Sequence, residues 1–344
     1  MGKGRVCLAF ALLAIVCIMC TSCSSGTKPP ASNAPAAPAA PAAPAQPSAG
    51  ATTQLRMGTT NVGGTYYITG TAYAQTMSKF CPEIQINVEV TGGSVDNLNL
   101  LARKQTQLGM AIAPLTDQAA KGEGKFKEPV KLMALTGVNL GRTHVVVRKG
   151  SGIKKVADMK GKKISTAEPG NSTEIIATQI LSAAGIDVDK DIKRYRTNLN
   201  DSMEALANGS IDGFFYVSGA GVPAIVEASK TTGKVELIAI EQPIIDKLVK
   251  DVPYFVKTEM PKDMYGNAEA LPTLGSPNHL LCLPDMPEDV VYKIVSTIFE
   301  HRDNWVNAHS SCKEQTLEFG PQGSPVPYHP GAIKYYKEKG VWKQ

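Results

Sequence analysis

The octapeptide "IQINVEVT", Ile84 to Thr91, alternates strictly, with Ile84, Ile86, Val88 and Val90 on one face, and this pattern calls for a half-buried β-strand. Helical spacing brackets it on both sides. Tyr66, Tyr73, Met77 and Phe80 form one stripe closed by Pro82, and Val95, Leu98 and Leu101 form another, with Ser94 expected as its N-cap. Together with the strand-like "LRMGTT" before and "LGMAIA" after, strand and helix alternate, which requires an α/β unit with parallel strands.

The pattern then recurs. "THVVVRKGSG" is read as a strand, "IKKVADMKGKKIST" as a short helix and strand, "NSTEIIATQILSAAG" as a helix with Ser172 or Thr173 near its cap, "DSMEALANGS" as a helix and "IDGFFYVS" as a buried strand. Late in the chain comes a strand at "SPNHLLCLP" and a helix from Pro287 to His309. If the strands at His144–Arg148 and Leu280–Leu283 are crossings, the chain forms two discontinuous α/β lobes around a cleft. The expected boundaries are 52–142 with 276–344 for the first lobe and 143–275 for the second.

The first fifty residues belong to neither lobe. Lys3 and Arg5 precede the apolar run "VCLAFALLAIVCIMC", the pattern of a secretory signal over residues 1–22. Thr21 and Ser22 before Cys23 resemble a bacterial lipobox, which makes Cys23 the expected site of a palmitate-type lipid anchor. Residues 23–51, rich in Ala and Pro, cannot bury a core and read as an extended tether. An extracytoplasmic, membrane-anchored protein is the expectation, periplasmic or at the cell surface.

Charge excludes one class of partner. Of the chain's 36 Lys and Arg, Lys3, Arg5 and Lys28 precede Thr52, which leaves 33 against 31 Asp and Glu and no basis for nucleic-acid binding. Cys81, Cys282 and Cys312 allow at most one disulfide within the folded part. No metal or other cofactor is expected, because His144, His279, His301, His309 and His329 form no ligand-spaced cluster with one another or with cysteine.

Three junctions share one design of strand end, glycine, hydroxyl and helix start: "GGTYY" at Gly63–Tyr67, "GGSVDN" at Gly92–Asn97 and "PGNST" at Pro169–Thr173. Glycine lets a ligand approach the backbone, and the free N–H groups of a helix start favour an anion by roughly 0.3–1 kcal/mol each. Gly93 and Asn171 enter the candidate site through these junctions. Glycine with a capping hydroxyl also builds ordinary βα loops, so it is the repetition of the design that points to a site. Nucleotide fingerprints are missing, since "GVNLGRT" lacks the lysine and spacing of a phosphate loop.

Catalytic motifs are equally weak. "HRD" at His301–Asp303 lies inside an apparent helix, and Ser218 in "FYVSGAG" lacks the frame of a nucleophile elbow. Tyr66, Tyr67 and Tyr216 are aromatic candidates for a ligand seat. Tyr66 fits the apolar stripe, which leaves Tyr67 free to point elsewhere, and the sequence does not decide between them.

Taken in order, "GGTYY", "GGSVDN", "GSGIKKVADMKGKKIS", "GNSTEI", "IDGFFYVSGAGVPAI" and "VPYHPGAIKYYKEKGVW" resemble the TAXI-type solute receptors of tripartite ATP-independent periplasmic (TRAP) transporters, over Leu55 to Trp342. The resemblance implies a type II periplasmic-binding-protein fold that closes on a small carboxylate solute such as glutamate or 2-oxoglutarate. It further implies a non-catalytic, monomeric receptor that delivers the solute to the transporter's membrane subunits. Carried over residue by residue, the implied contacts are Gly64, Thr65 and Tyr66, then Ser94 and Asn97, then Ser172 and Thr173, and finally Tyr216.

The chain departs from the family pattern at Pro114 in "MAIAPLTDQAAKG" and at Glu168 in "AEPGNST". Two rival readings are a ligand-sensing or surface lipoprotein acting through protein partners, and an enzyme on the same fold. The second would need Cys282 or Glu168 as its reactive group.

Overall fold

The computed structural model describes residues 52–343; the expected signal, tether and Cys23 lipidation lie outside them. Ten strands form one sheet: β1 (Thr53–Gly58), β2 (Ile84–Glu89), β3 (Leu108–Ile112), β4 (Met133–Arg148), β5 (Lys163–Ser165), β6 (Lys193–Tyr195), β7 (Gly213–Ser218), β8 (Val235–Leu237), β9 (Val256–Met260) and β10 (Leu271–Cys282). Their order is β2-β1-β3-β10-β4-β7-β5-β6, with β8 added beside β4 and β9 beside β10. β2, β1 and β3 are parallel, as are β7, β5 and β6.

β4 and β10 join these two sets. The first half of β4 pairs with β10 at Asn278–Cys282, and its second half, Arg142–Val147, pairs with β7. Each parallel set directs its C-terminal strand ends toward the middle of the sheet, where ligands bind in folds of this type.

The described helices are α1 (Thr65–Phe80), α2 (Ser94–Ala102), α3 (Ala113–Lys121), α4 (Ser172–Ala183), α5 (Leu199–Ala207), α6 (Pro223–Glu227), α7 (Gln242–Asp251), α8 (Glu288–Glu300) and α9 (Pro330–Glu338). α1 buries Thr69, Tyr73, Thr76 and Met77 at its three- and four-residue spacing. Tyr73 meets the edge of Trp305, ring centroids 5.0 Å apart, and ties α1 to the C-terminal segment.

Two expectations need correction. Ser94 is not the N-cap of α2 but its first residue, because Gly93, with φ +110°, takes a conformation that a side-chain-bearing residue rarely adopts and occupies the cap itself. The late helix ends at Glu300 instead of His309. A tight turn at Arg302–Asn304 folds the chain back so that the Trp305 indole donates to the Ile298 carbonyl at 2.7 Å, satisfying an acceptor that the helix end leaves open. The His301–Asp303 motif therefore sits at a helix terminus.

Cys81, Cys282 and Cys312 are all free and buried. Among the described residues no helix is long and apolar enough to cross a membrane, and no group of three metal-ligating side chains converges.

Candidate solute cavity

Five strand ends and the β4–β10 pair meet at one cavity of about 30 Å³. Thr60 follows β1, Gly93 follows β2, Ile112 ends β3, Asn171 and Ser172 follow β5, and Tyr216, Val217 and Ser218 end β7. Thr65 and Tyr66 open α1, while Gly141 and Asn278 come from the paired middles of β4 and β10. None of these twelve side chains carries a formal charge at neutral pH. That volume admits one or two waters, so a ligand of amino-acid size enters only if the walls part.

Four helices begin on this cavity. α1, α2 and α3 have N-caps Gly64, Gly93 and Ile112, and none of the three receives a side-chain cap. α4 is capped by Asn171, whose side chain accepts from the Thr173 amide at 2.8 Å. Helix starts without caps present unspent N–H donors, one fewer at α3 because Pro114 in its first turn has no N–H, and the positive ends of their dipoles, which suits a carboxylate in a cavity without arginine or lysine.

Direct bonds currently join the walls. Thr65 Oγ1 lies 2.6 Å from Ser218 Oγ, the Asn171 side-chain amide donates to the Gly92 carbonyl at 2.9 Å, and the Tyr66 hydroxyl donates to Asn278 Oδ1. Asn278 in turn donates to Asn139 at 2.6 Å, and Asn139 donates to Ser311 Oγ at 2.9 Å, so a polar chain runs from the cavity into the C-terminal segment. Burial pushes the Tyr66 hydroxyl well above its ordinary range. Burial together with the Glu168 carboxylate pushes Tyr216 up to about 12, against an opposing hydrogen bond from Ser218. Both are neutral donors at physiological pH.

Of the residues singled out from sequence, Thr65, Tyr66, Gly93, Asn171, Ser172 and Tyr216 line the cavity. The others lie behind it. Gly64 sits under the wall, so close that a methyl group there would meet Thr60 Cγ2 at 2.6 Å and the Tyr216 hydroxyl at 3.1 Å. Ser94 accepts from the Ile112 amide at 3.3 Å, and Thr173 accepts from the Val217 amide at 3.0 Å. Asn97 is fully buried and donates to the carbonyls of Thr59 and Met110, both at 2.7 Å, locking the ends of β1 and β3 together. Tyr67 is not in the lining.

Thr60, Ile112, Gly141, Val217 and Asn278 join the wall without having been singled out. The Ser218 hydroxyl faces Thr65 and no base, the setting of a wall residue and not of a nucleophile. Cys282 is fully buried, with its thiol pushed far up by desolvation, which is unsuited to nucleophilic chemistry.

The profile of the NMT1-like family matches residues 57–340, and the chain belongs to that family. Among solved structures, that of a periplasmic transporter aligns over 86% of this chain and 93% of its own at a TM-score of 0.51 and 16% identity. The substrate-binding protein of an amino acid ABC transporter aligns over 74% and 97% (TM-score 0.46, 14% identity). The alkanesulfonate-binding protein SsuA from Xanthomonas axonopodis pv. citri aligns over 83% and 91% (TM-score 0.46, 16% identity). The fold is that of the type II periplasmic substrate-binding proteins.

Proposed function

We propose that this chain is an extracytoplasmic solute receptor of the TAXI type, which takes a small organic acid or amino acid into the cavity and delivers it to the membrane subunits of a TRAP transporter. The observation that carries this reading is the convergence of the starts of α1, α2, α3 and α4 on one cavity lined by neutral donors. Such a site holds a carboxylate through backbone N–H groups and hydroxyls. The ordered motifs from "GGTYY" to "VPYHPGAIKYYKEKGVW" support the subtype.

Two lobes, 52–142 with 276–344 and 143–275, part and close about the β4–β10 crossing. In support, Arg142 pairs with Gly275 and Gly141 with Ser276, so the proposed boundaries on the two strands lie side by side. In the closed form the solute takes over bonds now made directly between the walls, and the closed surface is what the membrane subunits recognise. The N-terminal segment, lipidated at Cys23, tethers this monomeric receptor at the membrane. The role is non-catalytic, in keeping with a lining that holds hydroxyls but no base or thiol.

A thermal-shift screen against small carboxylates and amino acids tests the reading. A ligand at a hundred times its Kd stabilises the folded state by about 2.7 kcal/mol, which for a domain of this size is a rise of several degrees. A flat response to every small acid, from a protein that melts cooperatively, would remove the proposal. Delivery is tested separately, by ligand-dependent co-purification with the polytopic subunits.

A further inference from the structure

Just outside the neutral lining lies Glu168, on the turn that leads from β5 into α4. Its Oε1 accepts from the Asn61 side-chain amide at 2.6 Å, a contact between segments 107 residues apart. Its Oε2 is buried and has no hydrogen-bond partner. The residue before it, Ala167, has φ +69°, a left-handed conformation rarely taken by a residue with a side chain, so the turn is held in an unusual form.

Asp96 faces the same turn. Its carboxylate accepts from the Gly92 amide at 3.0 Å, and a methyl group placed on Gly170 would lie 3.5 Å from its Oδ1. Among the described residues neither Glu168 nor Asp96 is ion-paired. The nearby guanidinium groups of Arg194 and Arg196 are engaged by Glu174 and Asp189. The field of Glu168 reaches the cavity, since it helps to raise the Tyr216 hydroxyl.

A buried carboxylate oxygen without a donor is costly unless something supplies one. Beside a cavity lined by neutral groups, a cation brought by a ligand would supply that partner. The helix starts that open on the cavity favour a carboxylate, so their N–H groups and the Glu168 carboxylate together suit a dipolar molecule.

Building on the solute-receptor reading, we propose that Glu168 is the specificity-determining residue of the cleft and that its Oε2 receives the ammonium group of a zwitterionic amino acid, which is thereby preferred over the corresponding 2-oxo acid. A dicarboxylate such as 2-oxoglutarate would bring a second negative charge toward Glu168 and Asp96 with no cation to offset it.

The test is a calorimetric titration of the full chain and of E168Q with the common L-amino acids and with their 2-oxo counterparts, each pair at one pH. Gln keeps the shape and an acceptor for Asn61 but removes the charge, and the urea midpoint of the variant checks that it folds. The expected result is that wild type binds an amino acid at least tenfold more tightly than its 2-oxo partner, and that E168Q erases this preference by weakening only the amino acid. Equal or tighter binding of the 2-oxo acid to wild type overturns the inference while leaving the solute-receptor reading intact. So does an E168Q change that affects both members of a pair by the same factor, which is what a purely mechanical Asn61–Glu168 latch would give. Folded wild type that binds neither class overturns both. N61A is the control for the latch and should shift both classes together.

Discussion

Thr65 Oγ1 and Ser218 Oγ lie 2.6 Å apart although 153 residues separate them, one at the start of α1 and the other at the end of β7. Both line the cavity, so this contact is at once a bond between the walls and a pair of groups that a solute can engage. T65V keeps the volume and removes the hydroxyl. It should cost about 1 kcal/mol of stability and weaken binding of a small acid about tenfold. Urea unfolding and calorimetry check the two effects separately, and unchanged affinity would place the hydroxyl outside the site. Because the two groups share one bond, the T65V/S218A double variant should lose less stability than the two single variants added together.

Gly64 and Gly63 should behave oppositely. Gly64 has φ −78°, open to any residue, but a Cβ there would collide with Thr60 and crowd the Tyr216 hydroxyl. G64A should therefore overpack the cavity wall, costing about 1–3 kcal/mol and reducing affinity more than tenfold. Gly63 has φ +88° and open space around it, so G63A should cost about 1 kcal/mol through backbone strain and leave affinity unchanged. Equal affinities for the two variants would contradict the placement of this loop.

Acid should destabilise the protein through His144. Its Nδ1 faces the carbonyls of Arg142 and Tyr216, each at 3.1 Å, and therefore carries the proton, while Nε2 accepts from the Tyr265 hydroxyl at 2.6 Å. Burial lowers its pKa from the ordinary 6.5 to about 4. The unfolded chain thus binds a proton that the folded one refuses between these values. Stability is full above pH 6.5, falls as the pH drops through the window, and by about pH 4 has lost on the order of 3 kcal/mol from this group. His279, buried and lowered to about 4 as well, adds to the same slope. Urea midpoints from pH 7.5 to 4.5 should fall steadily, and less steeply for H144Q.

The buried thiols give a simpler expectation. Desolvation raises Cys81 to about 11 and pushes Cys282 and Cys312 upward too. Iodoacetamide at pH 7.5 should leave all three unmodified in the native protein and label all three in urea, as mapped by peptide mass spectrometry. Protection that survives denaturation without reductant would reveal a disulfide instead.

Local pattern made the edges of the cavity legible. Period-two alternation gave β2, helical spacing gave α1 and α2, and the glycine–hydroxyl junctions led to Thr65, Gly93, Asn171 and Ser172. The floor was not legible, because Gly141 and Asn278 come together only through the register of β10 against β4, a relation between residues more than a hundred positions apart. The choice between Tyr66 and Tyr67 is of the same kind. Tyr66 both packs on the core and sends its hydroxyl to Asn278, a partner 212 residues away that the stripe on α1 could not reveal. β8 and β9 were not legible either, because each is a short strand added beside one already in place.

The central claim is that the cavity at the starts of α1–α4 takes up a small organic acid. Isothermal titration of wild type and T65V side by side with a panel of small carboxylates and amino acids tests it most directly. The account predicts saturable one-to-one binding of at least one such acid to wild type and about tenfold weaker binding to T65V. A folded wild-type protein that shows no saturable heat with any of them, or the same affinity in both proteins, would contradict it.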